Sequence, residues 1–368
     1  MAKIPQLDLT RYIRTIVDEW ILVVREIALS GKILNGPHKQ GFEDEFARYL
    51  GVSHVLGVAS GTDAFWLCLR ALGVGPGDEI ITHANAFIAD IEPIIALGAT
   101  PVLVDMSQTD YGPDLEGFER AITNRTKAIL IVHLLGAPCD IDGIRRIADA
   151  RGIPFIEDAS QAQGAEYKGK KVGTFGAINA FSLGPVKNLS TIGDAGCIVT
   201  ASEELFEKVK FLPVHGQVKK YKHTMYGTNS RLDEVHAAYL RIGLRTLGER
   251  NARRRNIYAR YRNELADLPI SFMPDAPRRV PVFHQAIIRT KRRDELQAYL
   301  KDQGVDTGIY YLDALHEQEA WKRAGFPQGS FPRAEQYARE NLALPMFAEL
   351  TNEEIGFVIK SVRSFFGK

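Results

Sequence analysis

"EIITHANAFIADIEPIIALGATPVLVDM", residues 79–106, places a helical pattern between two short apolar runs. Residues 79–84 and 100–106 are rich in Ile, Val and Thr and read as strands. Residues 86–98 space their apolar side chains for a helix. The same rhythm continues downstream. "DLEGFERAI" (114–122) is helical, "KAILIVHL" (127–134) is a strand, "DIDGIRRIADARG" (140–152) is helical and "PFIEDAS" (154–160) is a strand. A hairpin follows at "AEYKGKKVG" (165–173), then strands at "NAFSL" (179–183) and "GCIVT" (196–200). Apolar strands separated by helices predict an α/β fold with a mostly parallel sheet covered on both faces.

After about residue 200 the pattern changes. "SRLDEVHAAYLRIGLRTLGERNARRRNIYARYRNELADL" (230–268) reads as one long, arginine-rich helical stretch, and "PDAPRRVPVF" (274–283) as a loop leading into an edge strand, "VFHQAIIRT" (282–290). The expected organisation is a large domain over 1–245, opened by a helical segment at 1–35, and a smaller α/β domain over 246–368. No internal repeat or low-complexity segment interrupts it.

The 368 residues are 45% hydrophobic and 25% charged, with a net charge of +1, which gives no reason to expect a nucleic acid or an anionic membrane as partner. The N-terminal "DEWILVVREIALSG" has only the run Trp20–Val24 between Glu19 and Arg25, far short of the roughly 20 apolar residues a membrane span needs. Three widely spaced cysteines, Cys68, Cys139 and Cys197, fit free buried thiols in a reducing compartment. A cytoplasmic protein is expected, and no metal.

Ligands of an open parallel sheet bind at the carboxyl ends of its strands, and four stretches there carry candidate chemistry. In "ASGTDAFWLCLRAL" (59–72), Ser60, Gly61 and Thr62 open a helix and either cradle an anion or form an ordinary N-cap. In "FIEDASQAQGA" (155–165), Glu157 and Asp158 close a buried strand and Gln161 follows. An acid there needs a cation or strong donors, or else caps the next segment. In "FSLGPVKNLSTIGDAG" (181–196), Lys187 is the only cation, with Ser182 five residues before it. A desolvated lysine has a lowered pKa and attacks carbonyls; the alternative is a lysine snorkelling out of a loop. In "HANAFIAD" (83–90), Phe87 either offers a ring face to a planar ligand or packs in the core. Together, a phosphate cradle, a carboxylate, an aromatic plate and a buried lysine make the set that pyridoxal phosphate chemistry needs.

With these motifs stand "GPHKQGFEDEFARYLG" (36–51), "SGTDAFWLCLRALGVGPGDEII" (60–81), "AFIADIEPIIALGATPVLVD" (86–105), "ITNRTKAILIVHLLGAPCDID" (122–142), "IEDASQAQGAEYKGKKVGTFG" (156–176) and "GTNSRLDEVHAAYLR" (227–241). In this order and over nearly the whole chain, they resemble the DegT/DnrJ/EryC1/StrS family of pyridoxal phosphate-dependent sugar aminotransferases, which have the fold type I, aspartate aminotransferase-like architecture. The resemblance implies that Lys187 carries the cofactor as a Schiff base and that Asp158 faces its pyridine nitrogen. It places Gln161 near the phenolic oxygen, Phe87 on the ring, and Gly61, Thr62 and Ser182 on the phosphate. Asn229 matches an asparagine that reaches the neighbouring subunit's phosphate, which implies a homodimer with shared active sites. Read without the resemblance, "GTNSRLDE" suggests a helix N-cap at Ser230.

The implied reaction moves an amino group from L-glutamate to a nucleotide-linked keto sugar in deoxyamino-sugar biosynthesis, as in O-antigen or antibiotic pathways. Lys219, Tyr221 and His223 lie in the segment the family uses near the nucleotide sugar; the alternative is a solvated basic loop. "KYKHTMYGTNSRLDE" (220–234) resembles enzymes that aminate C3 of dTDP-linked 6-deoxy-keto sugars more than those acting at C4 or on keto-cyclitols. In "YYLDALH" (310–316), Tyr310 replaces the first His of a family motif whose two prolines are also missing, and Leu135 and Val186 depart from common residues. A dehydratase branch carries His at the lysine position, so Lys187 favours transamination. A non-catalytic regulator would need a DNA-binding segment, and residues 1–35 are too short and insufficiently basic for one.

Overall fold

The computed structural model describes residues 3–368. Its strands in chain order are β1 (His54–Val58), β2 (Glu79–His83), β3 (Thr100–Val104), β4 (Thr126–Val132), β5 (Phe155–Asp158), the hairpin β6 (Glu166–Tyr167) and β7 (Lys170–Lys171), β8 (Asn179–Ser182) and β9 (Gly196–Thr200). A second hairpin follows as β10 (Gln217–Lys219) and β11 (Lys222–His223), then β12 (Ser271–Phe272), β13 (Arg279–Val280), β14 (Ala286–Arg289) and β15 (Asn341–Leu344). Seven of these form one sheet in the order β1-β9-β8-β5-β4-β2-β3. Every neighbouring pair is parallel except those made by β9, which runs against both β1 and β8. The sheet is therefore the expected mostly parallel one, with β1 added at its edge.

Both faces of this sheet are buried, and the period of two separates them. Ile80, Leu130, Ile156, Ala180 and Ile198 pack into one core, while Ile81, Ile129, Phe155, Phe181 and Val199 pack into the other. Each of the Ile, Leu, Val and Phe side chains among these contributes about 1.5–3 kcal/mol by leaving water. This alternation also sends adjacent residues at a strand end to opposite faces.

Two helical expectations change in detail. Residues 86–98 hold a short 3₁₀ turn, Ile88–Asp90, and then the helix Glu92–Ala96. Pro93 has no N–H to continue the ladder, so it opens a helix and does not extend one. The stretch 230–268 is two helices, Glu234–Leu244 and Leu247–Glu264, separated at Thr246 (φ −110°, ψ 1°). Gly243 and Gly248 flank the break and weaken the ladder on both sides. Ser230 is not the N-cap of the first of these helices; Asp233 holds that position. Ser230 Oγ instead accepts from the Ala59 N–H (3.1 Å) and donates to Asp63 (2.7 Å).

The strand expected at the edge over 282–290 is central. β14 pairs antiparallel with β12 on one side and β15 on the other. The N-terminal residues join this region. Ile4 bridges Val305, the Met346 N–H donates to the Gln6 carbonyl (3.1 Å), and Arg11 forms a bidentate pair with Glu354 (2.7 and 2.6 Å). The helix Leu9–Ser30 leaves Ile21, Leu22 and Leu29 exposed. Among the described residues, no helix is long and apolar enough to cross a membrane. All three cysteines are free and buried.

His83, at the end of β2, is fully buried, and neither ring nitrogen has a partner among the described residues. Burial, with His133 nearby, pushes its pKa down to about 3. The unfolded chain takes up a proton at His83 near pH 6.5, which the folded chain refuses. His83 therefore contributes a loss of stability as pH falls from about 6.5 toward 3. His83→Phe should leave stability at pH 7 within about 1 kcal/mol of the parent and flatten the decline below pH 6.5, as read from melting temperature against pH.

Candidate active site

Glu157 and Asp158 end β5 and point to opposite faces. Glu157 is fully buried on the side of Phe155. Its carboxylate accepts from the backbone N–H groups of Gly173 (2.7 Å), Phe175 (2.6 Å) and Gly176 (2.7 Å). His133 Nε2 lies 2.8 Å from the same carboxylate, while Nδ1 accepts from the Cys139 N–H (3.1 Å). That acceptor role assigns the proton to Nε2, which donates to Glu157. Glu157 is thus the capping acid of the loop after the hairpin. Asp158, on the side of Ile156, accepts the Ser160 N–H (2.7 Å) and faces a cavity of about 370 Å³.

The same cavity receives the start of the helix Gly61–Ala71. Ser60 Oγ accepts from the Asp63 N–H (3.0 Å), an ordinary N-cap. The N–H groups of Gly61 and Thr62 have no acceptor among the described residues and line the cavity. The N-cap reading does not compete with an anion cradle, because capping uses the Asp63 N–H and leaves the two before it without an acceptor. Gly61 is required by contact: a Cβ there would lie 2.5 Å from Ser182 Cβ. The Ser182 N–H donates to Ser160 Oγ (2.8 Å) and its carbonyl accepts from Gln163 Nε2 (2.6 Å), which ties the end of β8 to the segment after β5.

Lys187 follows in a turn closed by its own N–H to the Gly184 carbonyl (3.1 Å). Its side chain lines the cavity together with Asp158 and Asp90. Burial lowers its pKa, opposed by the negative charge of Asp158 and then of Asp90. Lys187 is therefore a desolvated amine and not a snorkelling surface lysine. Phe87 is not core: it is 48% exposed, and its ring centre lies 5.4 Å from that of Tyr311. Gln161 Oε1 accepts from the Leu135 N–H (2.7 Å) and Nε2 donates to the Tyr311 hydroxyl (3.0 Å).

Three lining residues escaped the sequence reading. Tyr311 stands beside the singled-out Tyr310, and burial, then Asp90, push its pKa up. Asp90 lies within the quoted "HANAFIAD" and accepts from the Phe87 N–H (3.0 Å), which sets the ring's backbone. Burial, then Asp158 beside it, hold Asp90 well above the usual carboxylate range. His284 comes from the chain just before β14, and no local pattern signals it.

The cavity gathers Gly61, Thr62, Phe87, Asp158, Gln161, Ser182, Lys187 and Tyr310 in one chain. It does not gather Asn229, Lys219, Tyr221 or His223. Asn229 is exposed and bridges Val214. The other three sit on the hairpin β10–β11, where Tyr221 is 83% exposed and His223 Nδ1 lies 2.9 Å from the His215 carbonyl. Among the described residues there is no cluster that could hold a metal ion.

The model of the DegT/DnrJ/EryC1/StrS aminotransferase family matches residues 14–363. A dTDP-3-amino-3,4,6-trideoxy-alpha-D-glucose transaminase of Streptomyces venezuelae is 43% identical, covering 99% of this chain and 96% of that protein. A protein of Geobacillus stearothermophilus named pleiotropic regulatory protein is 40% identical, covering 99% and 98%. A crystal structure of S. venezuelae DesV in complex with a ketimine intermediate superposes with a TM-score of 0.97 at 42% identity, over 100% of both chains. The chain belongs to this family of pyridoxal phosphate-dependent sugar aminotransferases.

The two neighbouring acids of β5 should respond differently to removal. Glu157→Ala leaves four donors unpaired, His133 among them fully buried, and should cost about 3–5 kcal/mol in urea unfolding. Asp158→Ala removes one backbone hydrogen bond at the cavity wall and should cost about 1 kcal/mol.

Proposed function

We propose that the protein transfers an amino group from L-glutamate to C3 of a dTDP-linked 3-keto-6-deoxyhexose, with pyridoxal 5'-phosphate held in the cavity of Lys187. The observation that carries this reading is the desolvated Lys187 amine sharing one cavity with Asp158 and two unpaired helix N–H groups. The fit is supported at both ends of such a cofactor. The close approach of Gly61 to Ser182 leaves the Gly61 and Thr62 N–H groups and the Ser182 hydroxyl for a phosphate, and Asp158, lining the same cavity, is the carboxylate available to a pyridinium. When bound, the cofactor supplies an electron sink for bonds broken at the carbon bearing the amine.

In this reading, Asp158 holds the proton on the ring nitrogen, and the charge-assisted hydrogen bond contributes about 1.5–3 kcal/mol. Phe87 covers one ring face. Gln161 keeps one Nε2 hydrogen beyond its bond to Tyr311, which would be the donor to the cofactor's phenolic oxygen. Lys187 Nζ, freed from the cofactor, would move the proton from the α-carbon of glutamate to C4′ of the cofactor in the first half-reaction, and from C4′ to C3 of the sugar in the second. Its lowered pKa keeps the amine able to accept that proton. Tyr310 borders the substrate side of the cavity.

Asn229, Lys219, Tyr221 and His223 act in the cavity of a second copy, Asn229 on its phosphate and the hairpin on its nucleotide sugar. Their distance from this chain's own cavity supports the assignment. So does the exposure of apolar surface on the hairpin (Val218, Tyr221), on Tyr226 and on the N-terminal helix, since large exposed apolar groups mark interaction surfaces. The choice of C3 rests on the 3-amino-sugar transaminases among its relatives. The complete set around Lys187 favours catalysis over a purely regulatory role.

Purified protein should be yellow, lose that absorbance with L-glutamate and recover it with a dTDP-3-keto-6-deoxyhexose. Recovery with a 4-keto sugar alone would move the reaction to C4. Lys187→Ala should show neither the band nor turnover. Mixing and refolding Lys187→Ala with Asn229→Ala should restore about a quarter of the parent activity, because half the dimers pair the two variants and each such dimer holds one intact site. No recovery on mixing would place Asn229 in its own chain's site.

A further inference from the structure

His284 lines the cavity beside Lys187, is buried to 4% exposure, and has no role in the reading above. Its backbone is fixed from two sides: its N–H donates to the Leu135 carbonyl (2.9 Å), and its carbonyl accepts from the buried Arg254 (3.4 Å). Its Nδ1 lies 3.3 Å from Asn188 Oδ1. A chain of amides anchored on main-chain carbonyls fixes the direction of that bond. Asn251 Nδ2 donates to the Gln163 carbonyl (2.8 Å), so Asn251 Oδ1 accepts. Asn188 Nδ2 donates to that oxygen (2.9 Å) and to the Val282 carbonyl (3.2 Å), so Asn188 Oδ1 must accept as well. His284 Nδ1 therefore carries the hydrogen.

In the neutral ring, Nε2 then bears a lone pair, and among the described residues the ring's hydrogen bond is made at Nδ1, leaving Nε2 without a partner. Burial and the facing cations Lys187 and Arg254 hold the ring neutral, well below its ordinary pKa. The structure thus builds a neutral acceptor beside an amine, and Asn188, the residue after Lys187, holds both in register.

We propose that His284 is a positioning residue for Lys187: Nε2 accepts one N–H of the Lys187 amine and aims the amine's lone pair at the carbon it attacks. The inference rests on the reading of Lys187 as the nucleophile.

The test follows capture of pyridoxal phosphate by full-length protein stripped of cofactor. Capture is timed by absorbance at several pH values, and borohydride trapping with peptide mass analysis locates the label. The parent should label at Lys187; no label there overturns the reading of Lys187 itself. His284→Phe should capture about tenfold more slowly at unchanged melting temperature, and His284→Gln, which keeps an acceptor, should recover most of the rate. Parent-like capture by His284→Phe, or equal loss in both variants, overturns the positioning role.

If His284→Phe does not fold, Asn188→Asp decides. A carboxylate behind Nδ1 raises the pKa of the imidazole, so the loss of capture on acidification should begin at a higher pH than in the parent. An unshifted acid limb overturns the proposal.

Discussion

The carboxylate of Glu157 ties together three segments that the chain brings from far apart. It accepts from the loop at Gly173, Phe175 and Gly176 and from His133 at the end of β4, and both Glu157 and His133 are fully buried. A buried charge of this kind is tolerable only when every lone pair is used, and here four donors use them. Because successive strand residues face opposite ways, locking Glu157 on one face fixes the direction of Asp158 on the other. The acid at the cavity is held by an acid that never reaches it.

The remaining cavity groups arrive through the parallel arrangement. β2, β5 and β8 run the same way, so the segments after them open at one edge and bring Phe87 and Asp90, Asp158 and Gln161, and Ser182 and Lys187 to one place. Gly61 allows the helix it opens to approach the end of β8 more closely than any side chain permits. The charges offset one another in this low-dielectric setting. Burial lowers the pKa of Lys187 and raises that of Asp90, and each acts on the other. Asp90, which opposes the effect of burial on Lys187, also accepts from the Phe87 N–H and so holds the backbone of that exposed ring.

Local patterns carried much of this. The strands and hairpin from 79 to 200 follow from apolar runs and turn residues, and the cavity set follows from polar residues placed just after those runs. What the sequence concealed depends on distant contacts. β14 reads as an edge because its partners, β12 and β15, lie before it and more than fifty residues after it. The break at Thr246 has no proline to announce it. His284 is defined by Asn188 and Arg254, and Tyr311 by Gln161, none of them neighbours in sequence. Ser230 resembles a cap by residue type, yet its hydroxyl is used across the fold by Ala59 and Asp63.

The central claim is that one cavity, built by the ends of β2, β5 and β8, holds the cofactor by Lys187 at one point and by the helix N-terminus at another. The most direct measurement is a crystal structure of the protein with pyridoxal 5'-phosphate. The account predicts continuous density from Lys187 Nζ to the cofactor, the ring nitrogen against Asp158, and the phosphate on the Gly61 and Thr62 N–H groups and Ser182. Density that leaves Lys187 unattached, or that turns the phosphate toward Asp158, would contradict it.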